Sequence, residues 1–166
     1  LERHTFAPTS ETVVTPLVVD TDDRPDHGVF SFFRFSPHQR PRIAEVEADF
    51  FARIEAGEGA DLMHCYDDQY VCNVGQLVHL CLGSYRLIAD LRGHLTDSLE
   101  APVVTSKPYD LAAALLVARE AGCVVTAPDG SPLDFPLDAT TPVSFVGWVN
   151  EPTASRLAPH LGAALS

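Results

Sequence analysis

Positive charge is scarce in this sequence. Lys and Arg number 11 against 23 Asp and Glu, which leaves a formal net charge of −12. Such a surface repels a phosphate backbone, so nucleic-acid binding through a basic face is excluded, while metal cations and cationic partners are compatible with it. Long apolar runs are missing too. None approaches the roughly 18 residues that a membrane-spanning helix needs, and no charged-then-apolar leader opens the chain; the expectation is a soluble, cytoplasmic protein without membrane contact. The four cysteines, Cys65, Cys72, Cys81 and Cys123, form no CxxC pair and lie in apolar surroundings. Buried, reduced thiols are the expectation.

Further absences narrow the chemistry. There is no Gly-x-Ser-x-Gly elbow for a serine nucleophile and no Gly-rich loop to cradle a phosphate. His64, Cys65, Cys72 and His79 have the spacing of no common zinc site, and core or surface placement is the simpler expectation for them. The acidic stretch Asp20, Asp22, Asp23 and Asp26 has Arg24 where a calcium loop needs an oxygen ligand, so a solvated loop is expected. No internal repeat is present. The only methionine is Met63 and the first residue is Leu1, so the chain is treated as a candidate fragment, with Leu1-Glu2 a candidate scar.

What is there is enough for one packed domain: 166 residues, 46% of them hydrophobic. Thr12 to Asp20 and Gly28 to Phe35 are β-branched and aromatic runs that suit strands. From Pro41 to Ala56, Ile43, Val46, Phe50, Phe51 and Ile54 recur at helical spacing, and the helix is expected to stop near Gly57. Asn73 to Leu82 reads as a buried helix, and Tyr85 to Leu91 as an alternating strand after the Gly83-Ser84 break. The clearest element runs from Pro108 to Ala121, with Thr105 or Ser106 as cap and Gly122 as stop. Leu111 to Ala118 are all apolar, which predicts a helix buried on nearly every side. Cys123 to Thr126 and Val143 to Val149 then read as strands, and Asn150 as the cap of a last helix through Leu165. Strands and helices alternate, so the expected fold class is α/β, a layered α-β-α domain with a mixed sheet and helices on both faces.

The segment Lys107-Pro108-Tyr109-Asp110-Leu111-Ala112-Ala113-Ala114 continues through Ala121-Gly122, Val124-Val125-Thr126 and Asp129-Gly130 to Pro132-Leu133. In order and spacing it closely resembles the carboxy-terminal signature of the inositol-monophosphatase and fructose-bisphosphatase-like superfamily: aromatic-Asp-x-Ala-Ala on a helix, Ala-Gly-Gly, a strand, Asp-Gly and Pro-Leu. Phe145-Val146-Gly147 and Asn150 resemble the family's closing strand and final cap. Asn73-Val74-Gly75-Gln76, followed by Leu80-Cys81-Leu82, is similar to its Gly-Ser/Thr-Ala helix. The resemblance covers residues 106 to 151 and, less closely, 71 to 93. The whole chain is read as a single domain, family-like from about residue 60, with residues 1 to 27 an extension or a remnant of a preceding domain.

The resemblance implies a Mg²⁺-dependent hydrolase of small phosphate monoesters, an inositol, sugar or nucleotide phosphate. In that family two or three Mg²⁺ ions bridge the substrate phosphate and activate water. Asp110 is then the metal ligand. It lies in the first turn of a helix, where the peptide dipoles favour an ionised carboxylate by about 0.3–1 kcal/mol. Asn73 and Gln76 are the substrate-side candidates. Glu100, with Asp97, is the candidate for the acidic residue that contacts a substrate hydroxyl. The family's Asp-Pro-x-Asp-Gly-Thr turn, which supplies most of its metal carboxylates, is absent. One carboxylate does not displace the hydration shell of Mg²⁺, so this chain alone is expected to be inactive, and to self-associate or meet the missing amino-terminal half. Gln76-Leu77 replaces the family's Ser/Thr-Ala pair and Cys123 its second Gly. These departures carry the alternative, a non-catalytic relative that binds a ligand or a protein.

Overall fold

Every strand of the main sheet is short, and together they hold two cores apart. The computed structural model describes residues 2–6, 12–69, 72–95 and 104–166. β1 (Glu2–Phe6) and β2 (Thr12–Pro16) pair antiparallel as a separate two-stranded sheet. The expected strand from residue 12 thus ends at Pro16, whose fixed ring offers the ladder no N–H. β3 (His27–Phe32), β4 (His64–Tyr66), β5 (Tyr85–Asp90), β6 (Val124–Thr126) and β7 (Phe145–Trp148) form a mixed sheet in the order β4-β3-β5-β7-β6. β3 runs parallel to both β4 and β5, and β7 antiparallel to both β5 and β6.

Helices cover both faces. α1 (Arg40–Glu58) and α4 (Glu151–Leu165) enclose one core with Phe30, Phe32, Leu87, Val146 and Trp148. α2 (Asn73–Cys81) and α3 (Pro108–Ala121) enclose the other with Ile88, Val125 and Phe145. The result is the α-β-α layering and mixed sheet that the alternating elements predict. β5 does not show the alternation of a half-buried strand, because every residue from Tyr85 to Asp90 is buried between two helical layers. Its register with β3 slips after Val29, which pairs with Tyr85 while Phe30 pairs with Leu87. Arg86 is the extra residue of this bulge and reaches back toward residues 20 to 24. That acidic loop is therefore more than solvated: the buried Arg86 guanidinium donates to the Asp20 carboxylate at 3.2 Å and to the Asp22 carbonyl at 2.6 Å.

Two helix expectations change. α1 passes through Gly57 and stops at Gly59, which takes the left-handed conformation at φ 64°. Gly57 instead serves packing, since a Cβ there would stand 2.9 Å from the His160 ring on α4. α3 is not buried on nearly every side. Leu111, Ala114, Leu115 and Ala118 face the sheet, but Tyr109 and Leu116 are 68% and 64% exposed. The outer apolar residues of this outer-layer helix are left uncovered by the described residues, and composition alone cannot distinguish that from a sandwiched helix.

α4 begins as expected. Asn150 Oδ1 accepts from the Thr153 N–H at 2.7 Å, and its Nδ2 donates to the carbonyls of Asp20 and Asp22 at 2.7 and 3.1 Å. One buried side chain thus closes a helix end and pins the loop after β2. Asn150→Ala is expected to lower the unfolding free energy by about 1–2 kcal/mol, read as a lower urea midpoint.

Candidate functional site

α2 leads back into β5 through a tight turn, so its first residues lie beside the carboxyl end of that strand. The start of α3 arrives at the same edge. In open α/β sheets ligands bind outside the carboxyl ends of parallel strands, here β3 and β5. Two helix N-termini at that edge add partial positive charge suited to an anion.

A buried polar network occupies the edge. Asn73 Nδ2 donates to Asp90 Oδ2 at 3.2 Å and to Gln76 Oε1 at 3.3 Å, and Gln76 Nε2 lies 3.5 Å from Ser31 Oγ. Ser106 Oγ is 2.6 Å from Asp90 Oδ2 and 2.7 Å from Asn73 Oδ1. Arg92 grips Asp90 with two parallel bonds, Nε to Oδ1 at 2.9 Å and Nη2 to Oδ2 at 2.7 Å, the bidentate geometry of a strong ion pair. Its guanidinium also donates to Ser106 Oγ at 2.8 Å and to the Val104 carbonyl at 2.9 Å, and lies 4.0 Å from the centre of the Phe33 ring. Asp90 is 0% exposed and Arg92 5%.

Asp110 sits in the first turn of α3, half-buried. Its Oδ2 accepts from the Lys107 N–H at 3.1 Å, so the carboxylate helps close the helix start. The cap residue is Lys107, not Thr105 or Ser106, because the Ser106 hydroxyl is taken into the buried network. Of the substrate-side candidates, Asn73 and Gln76 come together in that network. Glu100 and Asp97 lie outside the described residues. Leu77, next to Gln76, points into the core and is 1% exposed. A groove of about 480 Å³ between α4 and the β6–β7 edge is lined by none of these candidates.

Sequence reasoning missed Asp90, Arg92, Ser106 and Ser31. The Asp-x-Arg spacing at a strand end before Gly93 was the available signal, but pairs of that kind are common on surfaces. For a divalent metal the donors do not suffice. Among the described residues no three of His, Cys, Asp and Glu stand together as a ligand set. Asp90 is neutralised by Arg92, and Asp110 is a single carboxylate where Mg²⁺ needs several oxygens. What the edge offers unaided is hydrogen-bonding amides and two helix N-termini.

No family model and no curated protein matches this chain in sequence. Solved structures do match it in fold. An inositol monophosphatase–fructose 1,6-bisphosphatase superposes with a TM-score of 0.59 at 14% identity over 94% of this chain and 53% of that one. The Thermotoga maritima IMPase gives 0.56 at 14% identity over 99% and 52%. A staphylococcal IMPase-II with inositol monophosphate bound gives 0.54 at 16% identity over 99% and 56%. A structure of that IMPase-II also carries 2′-AMP. The chain spans about half the length of the structures it matches. Its fold is that half of the inositol-monophosphatase and fructose-bisphosphatase-like fold.

Proposed function

We propose that this chain is the carboxy-terminal half of a Mg²⁺-dependent phosphatase acting on a small phosphate monoester, an inositol, sugar or nucleotide phosphate, and that it is inactive without an amino-terminal half. The observation that carries this is the fold match, which takes in nearly all of this chain and about half of each phosphatase. Asp110 is the metal ligand in this proposal, at the start of α3, with Asn73 and Gln76 on the substrate side at the start of α2. The other metal carboxylates belong to the missing half.

The outer face of α2 and α3 supports the need for that half. Val74, Val78 and Leu82 on α2 and Leu116 and Val117 on α3 are each 38–64% exposed, an apolar surface left open by the described residues. In the proposal the amino-terminal half covers it, and a second copy of the chain covers it when that half is lacking. The β1–β2 pair is then a remnant of the preceding domain.

A second reading, a non-catalytic relative that binds a ligand or protein, is favoured by one observation: the buried carboxylate at the site edge, Asp90, is fully engaged by Arg92, Ser106 and Asn73. Phosphate release separates the two. The protein completed with its amino-terminal half is offered inositol monophosphate, a sugar phosphate and 2′-AMP in Mg²⁺, with and without a chelator. Chelator-sensitive release from at least one is expected, and none from any would favour the non-catalytic relative.

A further inference from the structure

Two of the four thiols meet inside the core. Cys81 is the last residue of α2, and Cys123 lies between the α3 stop at Gly122 and β6. Both are free, 3% and 5% exposed, and their sulfurs lie 4.0 Å apart with the Cys123 thiol donating to Cys81. Forty-two residues separate them in sequence. From a thiol–thiol contact, side-chain rotation can bring the sulfurs toward the roughly 2.05 Å of a disulfide.

Burial alone would make such thiols inert, and two features set this pair apart. Cys81 lines a narrow crevice of about 190 Å³ between α2 and α3, walled by Val74, Val78, Ala113 and Val117, the side from which a small neutral oxidant would approach it. The shared hydrogen bond also divides the two roles. Donation from Cys123 holds the Cys81 thiol below its ordinary range, while the same bond and burial push Cys123 far up. Cys81, which lines the crevice while Cys123 does not, is the side open to attack, and Cys123 is placed to resolve it.

We infer that Cys81 and Cys123 form a redox-convertible pair, which a peroxide closes into a disulfide that clamps the rear ends of α2 and α3. The Cys81 thiolate attacks one peroxide oxygen, the O–O bond breaks, and hydroxide leaves and is protonated to water. Cys81 is now a sulfenic acid. The Cys123 sulfur then displaces its hydroxyl, which leaves as a second water with the thiol proton. Two thiols have lost two protons and two electrons, and one peroxide has become two waters. The bond forms at the opposite ends of the helices whose starts carry Asn73 and Asp110, so oxidation fixes α2 against α3 without touching those residues. The inference is made for this chain alone, because in the phosphatase proposal the amino-terminal half covers the crevice walls Val74, Val78 and Val117 and closes that approach to Cys81.

The test uses the full chain. It is treated with hydrogen peroxide, denatured, alkylated, and mapped by peptide mass without reduction. A Cys81–Cys123 peptide pair lighter by two hydrogens is expected, with Cys65 and Cys72 still alkylated and thermal unfolding raised by roughly 5–10 °C until reductant is added. Cys123→Ala should leave Cys81 as a sulfenic acid, which a dimedone-type probe reads, or as a sulfinic acid, which the peptide map reads as two added oxygens. The inference is overturned if both thiols remain alkylatable in the wild-type chain, if Cys81 over-oxidises while Cys123 stays a free thiol, or if disulfides join only Cys65 or Cys72. The wild-type map stands even where a variant fails to fold.

Discussion

Arg92→Met is expected to cost about 3–5 kcal/mol of folding stability, enough to unfold a marginal domain. The size follows from the partner left behind. Asp90 is fully buried, and with the guanidinium gone its charge has only the hydroxyl of Ser106, the amide of Asn73 and the Arg92 backbone N–H for company. A buried carboxylate left without its counter-charge weakens the native state. Methionine keeps the apolar stem but not the guanidinium over the Phe33 ring, so part of the loss is that contact. The Asp90→Leu, Arg92→Met double variant removes both charges and should recover more than half of the loss, which urea unfolding of the single and double variants measures as a coupling energy. A single-variant loss under about 1 kcal/mol would mean that the pair behaves like an exposed one.

Asp110→Asn is expected to separate stability from turnover. Asparagine retains an oxygen to accept the Lys107 N–H, so only the charge at the helix start is lost, about 0.3–1 kcal/mol. Thermal unfolding of the variant should therefore stay within a few degrees of the parent. In the proposed completed phosphatase the same change removes a negative charge from a metal site, and initial rates of phosphate release should fall about 100-fold or more. A purely capping Asp110 would leave the rate unchanged. Equal loss of stability and rate would point to a folding defect.

Much of this architecture was legible in residues whose local and tertiary preferences agree. Pro108, Gly122 and the apolar run between them mark α3 to the residue, and Asn150 marks the start of α4, because caps and stops act through the nearest few peptide groups. β5 was placed correctly while its alternation was not, since burial on both faces depends on helices far away in sequence. The bulge at Arg86 had no local signal: it is set by the pairing of β5 with β3 and by what the arginine meets across the sheet edge.

The site was legible in part. Asn73 and Gln76 could be proposed from a short resemblance, and they do share one network. Asp90 and Arg92 were missed because their importance lies in burial and bidentate contact, which an Asp-Leu-Arg triplet does not advertise. Ser106 read as a helix cap because a serine two residues before a helical proline is a common cap, yet a buried carboxylate offers its hydroxyl the stronger bond. The exposed side of α3 was misread for a related reason: an apolar helix face has the same composition whether its neighbour is in the chain or in another one.

The central claim is that this chain is one half of a phosphatase site. Its most direct test is Mg²⁺-dependent release of phosphate from inositol monophosphate, measured for this chain alone and for the chain completed by its amino-terminal half. No release from the chain alone and Mg²⁺-dependent release from the completed protein is the expected result. Release from the chain alone, or none from a folded completed protein on any small phosphate monoester, would contradict it.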